Sequence, residues 1–189
     1  MDAWSQRAPK STPLRFVAIL VTIALTGIDM GVADDRFHIG RPATEDEIRA
    51  WDLDISPEGR NLPPGVGTVA KGAEIFASKC AACHGPTGIE GPADQLIGGQ
   101  GTLASAKPVK TVGSYWPYAT TLFDYIRRAM PLTAPQSLTA EEVYSVVAWL
   151  LHQNGIVAKD IRLDAAILPT IRMPNRDGFG PDPRPDVTP

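Results

Sequence analysis

The 189-residue chain carries 18 lysines and arginines against 21 aspartates and glutamates, a formal charge of -3, with 43% hydrophobic and 7% aromatic residues. That balance is ordinary for a globular domain and excludes a membrane bundle or a wholly disordered chain. A pI of about 5.6 argues against nucleic acid as the main partner, because phosphate binding needs a basic face.

At the N-terminus, Arg7, Lys10 and Arg15 lead into 13 mostly apolar residues, Phe16 to Ile28, and Gly31-Val32-Ala33 stand just before Asp34-Asp35. Basic, then apolar, then small is the order of a secretory signal. Residues 1–33 are therefore expected to be a cleaved signal peptide, and the protein to be periplasmic. The apolar run is shorter than the roughly 20 residues of a spanning helix; an uncleaved N-terminal anchor is the alternative. Cleavage after Ala33 leaves 156 residues with 15 basic and 19 acidic side chains, a charge of -4. A chain of that size builds one domain around one core.

Residues 34–67 read as an N-terminal arm containing Trp51 in A-W-D-L-D-I. Gly65-Val66-Gly67-Thr68-Val69-Ala70 fits the dinucleotide pattern G-x-G-x-x-A, yet it follows Pro63-Pro64 instead of a strand and is read as a turn into a helix. That first helix is expected over Val69 to Cys80, with Ala73, Ile75, Phe76 and Ala77 in an amphipathic pattern and Gly72 open to close approach by another helix.

It leads into K-C-A-A-C-H-G, residues 79–85. A Cys-x-x-Cys-His run is the attachment site of c-type haem. Positions i and i+3 of one helical turn face the same way, so Cys80 and Cys83 reach one porphyrin edge, and His84 follows as the proximal iron ligand. A thioredoxin-like pair would want a βαβ context, and zinc would want further Cys or His at matching spacing. A plain disulfide leaves His84 unexplained. A haem-bound histidine usually gives its other nitrogen to a carbonyl, expected near Gly91-Pro92 in the loop of residues 85–94.

Gly98-Gly99-Gln100-Gly101 lacks the Lys-Ser/Thr of a phosphate loop and is expected to pass close to the haem. Tyr115, Trp116 and Tyr118 are read as core packing, with bonds to a haem propionate as the alternative and Lys110, Arg127 or Arg128 as possible charge partners. A helix over Thr120 to Ala129 would set Leu122, Tyr125 and Ile126 on one side. Met130 ends it, because Pro131 forces extended backbone at the preceding residue.

Met130 lies 46 residues past His84 and is the expected sixth iron ligand; a gap-filling core methionine is the competing role. The remaining candidates are His38 in the arm, His152 near the last helix end, where it would cap carbonyls or meet solvent, and Met173 in a tail without evident rigid support. The last helix opens on a capping box, Thr139 with Glu142, runs through Val143, Val146, Val147, Leu150 and Leu151, and closes at Asn154-Gly155. Its Trp149 is expected against Gly72 and Phe76. Six of the 21 residues from Pro169 onward are proline, too many for regular structure. Both arms are expected to dock along a larger subunit, burying Trp51 and Phe179; wrapping the haem domain, or disorder, is the alternative. No convincing alternating strand appears, so the core is expected to be all-α, with the cytochrome domain at residues 68–155 and a C-terminal extension at 156–189.

Gly72, Phe76, C-A-A-C-H, Gly91-Pro92, Met130-Pro131 and Trp149 together resemble the class I cytochrome c fold over about residues 68–154. The segments I-G-R-P-A-T-E-D-E-I-R-A-W-D-L-D-I, G-S-Y-W-P-Y-A-T-T-L-F-D-Y-I-R-R-A-M-P and R-M-P-N-R-D-G-F look like the cytochrome subunits of sulfite and sulfane dehydrogenases. That resemblance implies one covalently attached haem c and a molybdenum-cofactor dehydrogenase subunit that donates electrons. The acceptor would be a downstream cytochrome or oxidase. Some members carry a second haem domain; this chain has one Cys-x-x-Cys-His run, and no catalytic residue of its own is expected. A freely diffusing periplasmic shuttle is the first rival, and a haem sensor or enzyme with displaceable Met130 the second.

Overall fold

The computed structural model describes residues 40–181. The expected signal peptide and His38 lie outside the described residues. The chain divides into two units, residues 1–44 and 45–189. Of the first, only residues 40–44 are described; they are exposed and turn at Gly40.

The second unit begins with a short helix α1 (Glu45–Trp51), acidic in its first turn, where carboxylates suit the positive end of the helix dipole. None of its residues is buried. The chain enters the core at Ile55 and reaches a three-residue strand β1 (Val66–Thr68).

Thr68 caps the helix α2 (Val69–Lys79), its Oγ1 accepting from the Lys71 N–H at 3.3 Å. Val69, Gly72, Ile75 and Phe76 recur at helical spacing and form the buried face. A one-turn helix α3 (Ala81–His84) follows directly, and a long irregular stretch then leads to α4 (Ala119–Ala129). The helix α5 (Ala140–Gln153) starts with the reciprocal Thr139–Glu142 capping box and is buried from Val143 to Leu151. Its first turn is tied to α2 by Lys79 Nζ, 2.8 Å from Glu142 Oε1; that hydrogen bond, before the Thr139 backbone, holds the Glu142 carboxyl below its ordinary range.

Helices α2 and α5 meet at a glycine contact. A Cβ on Gly72 would stand 1.9 Å from the Ser145 carbonyl oxygen and 2.7 Å from Trp149 Cβ. One turn on, Phe76 stacks against Trp149 with ring centroids 4.0 Å apart, as the sequence pattern anticipated. Gly67 makes a similar approach, its absent Cβ 2.2 Å from the Ser145 N. The G-x-G-x-x-A segment is thus a packing device, not a nucleotide cradle. On the opposite side, Phe123 of α4 lies on Tyr144 with centroids 4.4 Å apart. The Tyr144 hydroxyl donates to the Pro63 carbonyl at 2.9 Å, and burial pushes its pKa up to about 12.

Two expectations need correction. β1 pairs antiparallel with β2 (Arg162–Asp164), Gly67 opposite Leu163. A three-residue strand is too short to show alternation in sequence, which is why no strand was anticipated; the core itself remains helical. The tail is also better ordered than its proline content implied. Pro169 stands near the start of a 3-10 turn, Leu168–Thr170, where a missing N–H costs nothing. Leu168, Ile171 and Met173 are buried, Met173 with only 1% of its surface exposed. Met173 therefore has the rigid support that the sequence reading denied it.

Candidate haem site

The Cys80–His84 turn begins where α2 stops. Cys80 closes α2, its N–H donating to the Phe76 carbonyl at 2.9 Å, and its own carbonyl accepts from the Cys83 and His84 N–H groups at 3.1 and 3.0 Å. One helical turn therefore carries both thiols and the imidazole. Both cysteines are free; Cys80 is half-buried and Cys83 exposed. Burial pushes the Cys80 thiol up to about 11, against the opposing pull of Lys79, so it stays protonated at neutral pH.

His84 Nδ1 lies 2.9 Å from the carbonyl oxygen of Asp94. A carbonyl only accepts, so Nδ1 carries the proton and Nε2 keeps its lone pair free for a metal. The acceptor is a loop carbonyl, as anticipated, but it belongs to Asp94, two residues beyond Pro92. Gly91 has a different part. A Cβ there would stand 2.0 Å from the Cys83 carbonyl oxygen and 2.5 Å from the Gly85 N. Its absence lets the loop fold under the turn, where the Ala93 N–H donates to the Cys83 carbonyl at 2.9 Å.

Met130 closes α4 in extended backbone, φ -121° and ψ 145°, as a residue before proline should. Its side chain is half-buried against the core, and Cys80, Ala81, Leu96 and Trp116 are half-buried against that same core. The other candidates have occupations of their own. Met173 is inside the core, and His152 Nδ1 lies 3.1 Å from the Val157 carbonyl, beyond the helix instead of on its last turn.

The irregular stretch between α3 and α4 is held by polar contacts. Asn154, read in sequence only as a helix end, accepts from the Gly98 N–H at 2.9 Å and donates to the Leu96 and Leu150 carbonyls at 3.3 and 2.9 Å. Thr111 Oγ1 adds a 2.5 Å bond to the Gly98 carbonyl. The aromatic residues pack as well: Trp116 meets Tyr125 edge-on at 5.6 Å and Tyr115 meets Phe179 at 5.2 Å. The nearby cations are engaged within the protein. Lys110 Nζ sits 5.0 Å over the Tyr115 ring, Arg176 4.2 Å over Tyr118, and Arg128 pairs with the buried Asp124. Tyr125 departs from expectation in being exposed, unlike Leu122 and Ile126.

The donor set fits a c-type haem: two unpaired thiols one turn apart and an imidazole fixed in the metal-binding tautomer. Among the described residues no group of three or more His, Cys, Asp or Glu is placed to hold a metal ion.

Helical core and Cys-x-x-Cys-His turn together define a class I c-type cytochrome. Residues 67–150 match the family model described as cytochrome C oxidase, cbb3-type, subunit III. The structure is similar to a chain in the crystal structure of the sulfane dehydrogenase SoxCD from Paracoccus pantotrophus, with 43% sequence identity, a TM-score of 0.71, and coverage of 78% of this chain and 73% of that one. None of the curated protein sequences gives a match. The chain belongs to the Sox-type family of c-type cytochromes. It is an electron-transfer protein whose cofactor is haem c. Among the described residues no helix is long and apolar enough to cross a membrane.

Proposed function

We propose that this chain is the monohaem cytochrome subunit of a periplasmic sulfite or sulfane dehydrogenase. It would accept electrons singly from a molybdenum-cofactor subunit and pass them to a downstream cytochrome or oxidase. The observation that carries the haem assignment is the Asp94 carbonyl on His84 Nδ1, beside two free thiols on one turn. Likeness to the SoxCD chain supports the choice of partner.

Bound haem supplies a one-electron couple. Cys80 and Cys83 would tether it through thioethers, and His84 and Met130 would ligate the iron. The Asp94 carbonyl keeps His84 in one tautomer and orientation, so the ligand does not rearrange as charge changes. Ligation by one His and one Met would suit the site to electron transfer, not chemistry at iron. Residues 68–155 form the cytochrome domain, flanked by the arm at 34–67 and the extension at 156–189. Residues 1–33 are the export signal, and substrate oxidation takes place on the partner.

Native low-salt purification tests this. The haem spectrum is recorded before and after sulfite, molybdenum is assayed in the same fraction, and the intact mass is measured. Rapid haem reduction with copurifying molybdenum, and a chain lacking residues 1–33 but heavier by one haem, is the expected result. A haem protein with neither molybdenum nor sulfite reduction is a mobile shuttle, and overturns the subunit assignment.

A further inference from the structure

The helix α1 buries none of its residues, yet it carries large apolar side chains. Trp51 is 87% exposed, Ile48 53% and Leu53 45%. Ile48 and Trp51 are three apart and share a helical face, and Leu53 follows just past the helix end. An exposed tryptophan flanked by two aliphatic side chains is an unusual surface, since large apolar groups in contact with water mark interaction sites.

This surface is positioned. The Asn61 side-chain amide donates to the Asp52 carbonyl and carboxylate at 3.3 and 3.1 Å and to the Asp54 carbonyl at 3.1 Å. One residue further on, Ile55 is buried in the core. Trp51 thus stands four residues from a core anchor, behind a clipped turn, and ordering it against a partner costs less than ordering a loose tail.

Charge states what it meets. Residues 45–54 hold five carboxylates, Glu45, Asp46, Glu47, Asp52 and Asp54, and one cation, Arg49, for a charge of -4 in a chain whose total is -3. Arg49 is already engaged with Asp46 and Glu45. The rest of the chain is therefore close to neutral, and the negative charge is concentrated around the exposed tryptophan. Such a surface is repelled by anionic lipid and by its own copy in another molecule, and is complementary to a basic rim.

We infer that α1 is a docking key: Ile48, Trp51 and Leu53 enter an apolar cleft bordered by lysines and arginines on the molybdenum-cofactor subunit. The inference rests on the subunit reading proposed above and adds the surface by which the two proteins recognise each other.

The test uses the native complex, captured through a tag on the cytochrome, with molybdenum per haem as readout. Trp51→Ala should lower that ratio at least about tenfold, the effect of losing a modest interface hot spot. Haem spectrum and melting temperature should not move, because Trp51 is exposed and outside the core. Ile167→Ser, at a second exposed apolar position, should leave the ratio at the wild-type value. Full molybdenum retention by Trp51→Ala overturns the inference while the subunit reading stands. No molybdenum with the wild-type protein overturns that reading and this inference with it. An equal loss in Ile167→Ser, or a wild-type dimer that Trp51→Ala splits, also overturns the assignment, in the last case in favour of a second copy.

Discussion

At the scale of single residues, the two late methionines differ in burial. Met130 is half-buried at the end of α4, while Met173 is enclosed by the core. Under the proposed ligation, Met130→Ala abolishes the Met–iron charge-transfer absorption, lowers the reduction potential and admits carbon monoxide to the reduced protein. Met173→Ala leaves that absorption in place and costs about 3 kcal/mol of stability, the usual penalty for emptying a buried methionine site. Spectra and thermal melts of both variants check the pair; absorption lost from Met173→Ala and kept by Met130→Ala would reverse the assignment. The sequence named both residues and ranked them by local context. It could not see that segment 168–173 reaches the core, because proline content reports regularity of backbone, not burial.

Elements meet here through absent side chains. Helices α2 and α5 cross at Gly72, where the space for a Cβ is already occupied by the Ser145 carbonyl at 1.9 Å. Gly72→Ala gains about 1 kcal/mol of helix propensity. Forcing the two backbones apart costs more, about 3 kcal/mol by the usual penalty for overpacking, so packing wins and the melting temperature falls. An unchanged melt would show that the helices do not touch at this point. Both helices were legible in the sequence: the apolar spacing of Val69 to Phe76, the Thr139–Glu142 box and the Trp149 contact are all found. The end of α2 shifts by one residue, Lys79 for Cys80, as does the start of α4, Ala119 for Thr120, where caps are settled by the neighbouring turn.

For the molecule as a whole, the C-terminal extension completes the core that the haem turn rests on. Leu168, Ile171 and Met173 each contribute roughly 1.5–3 kcal/mol by burial. Together that approaches the roughly 5–15 kcal/mol that holds a domain folded. A chain ending at Ile167 should therefore fail to melt cooperatively, as followed by circular dichroism. A native-like melt from it would make the extension dispensable. Deleting the whole extension consequently cannot report on partner affinity, whereas the exposed Phe179 and Trp51 can be changed without opening the core.

The sequence by itself determined what depends on neighbours a few positions apart. Cys80, Cys83 and His84 share one turn because helix geometry fixes i and i+3, Met130 stops its helix because a proline follows, and Thr139 caps because Glu142 is three residues on. Tertiary structure alone decided what depends on distant segments meeting. Asp94 holds His84 through a backbone carbonyl, a group that every residue carries and no sequence pattern marks. Asn154 clips the loop at Gly98, β1 finds β2 nearly a hundred residues later, and Met173 enters the core. In each case the deciding quantity is the free energy of bringing remote chain together, which no local pattern encodes.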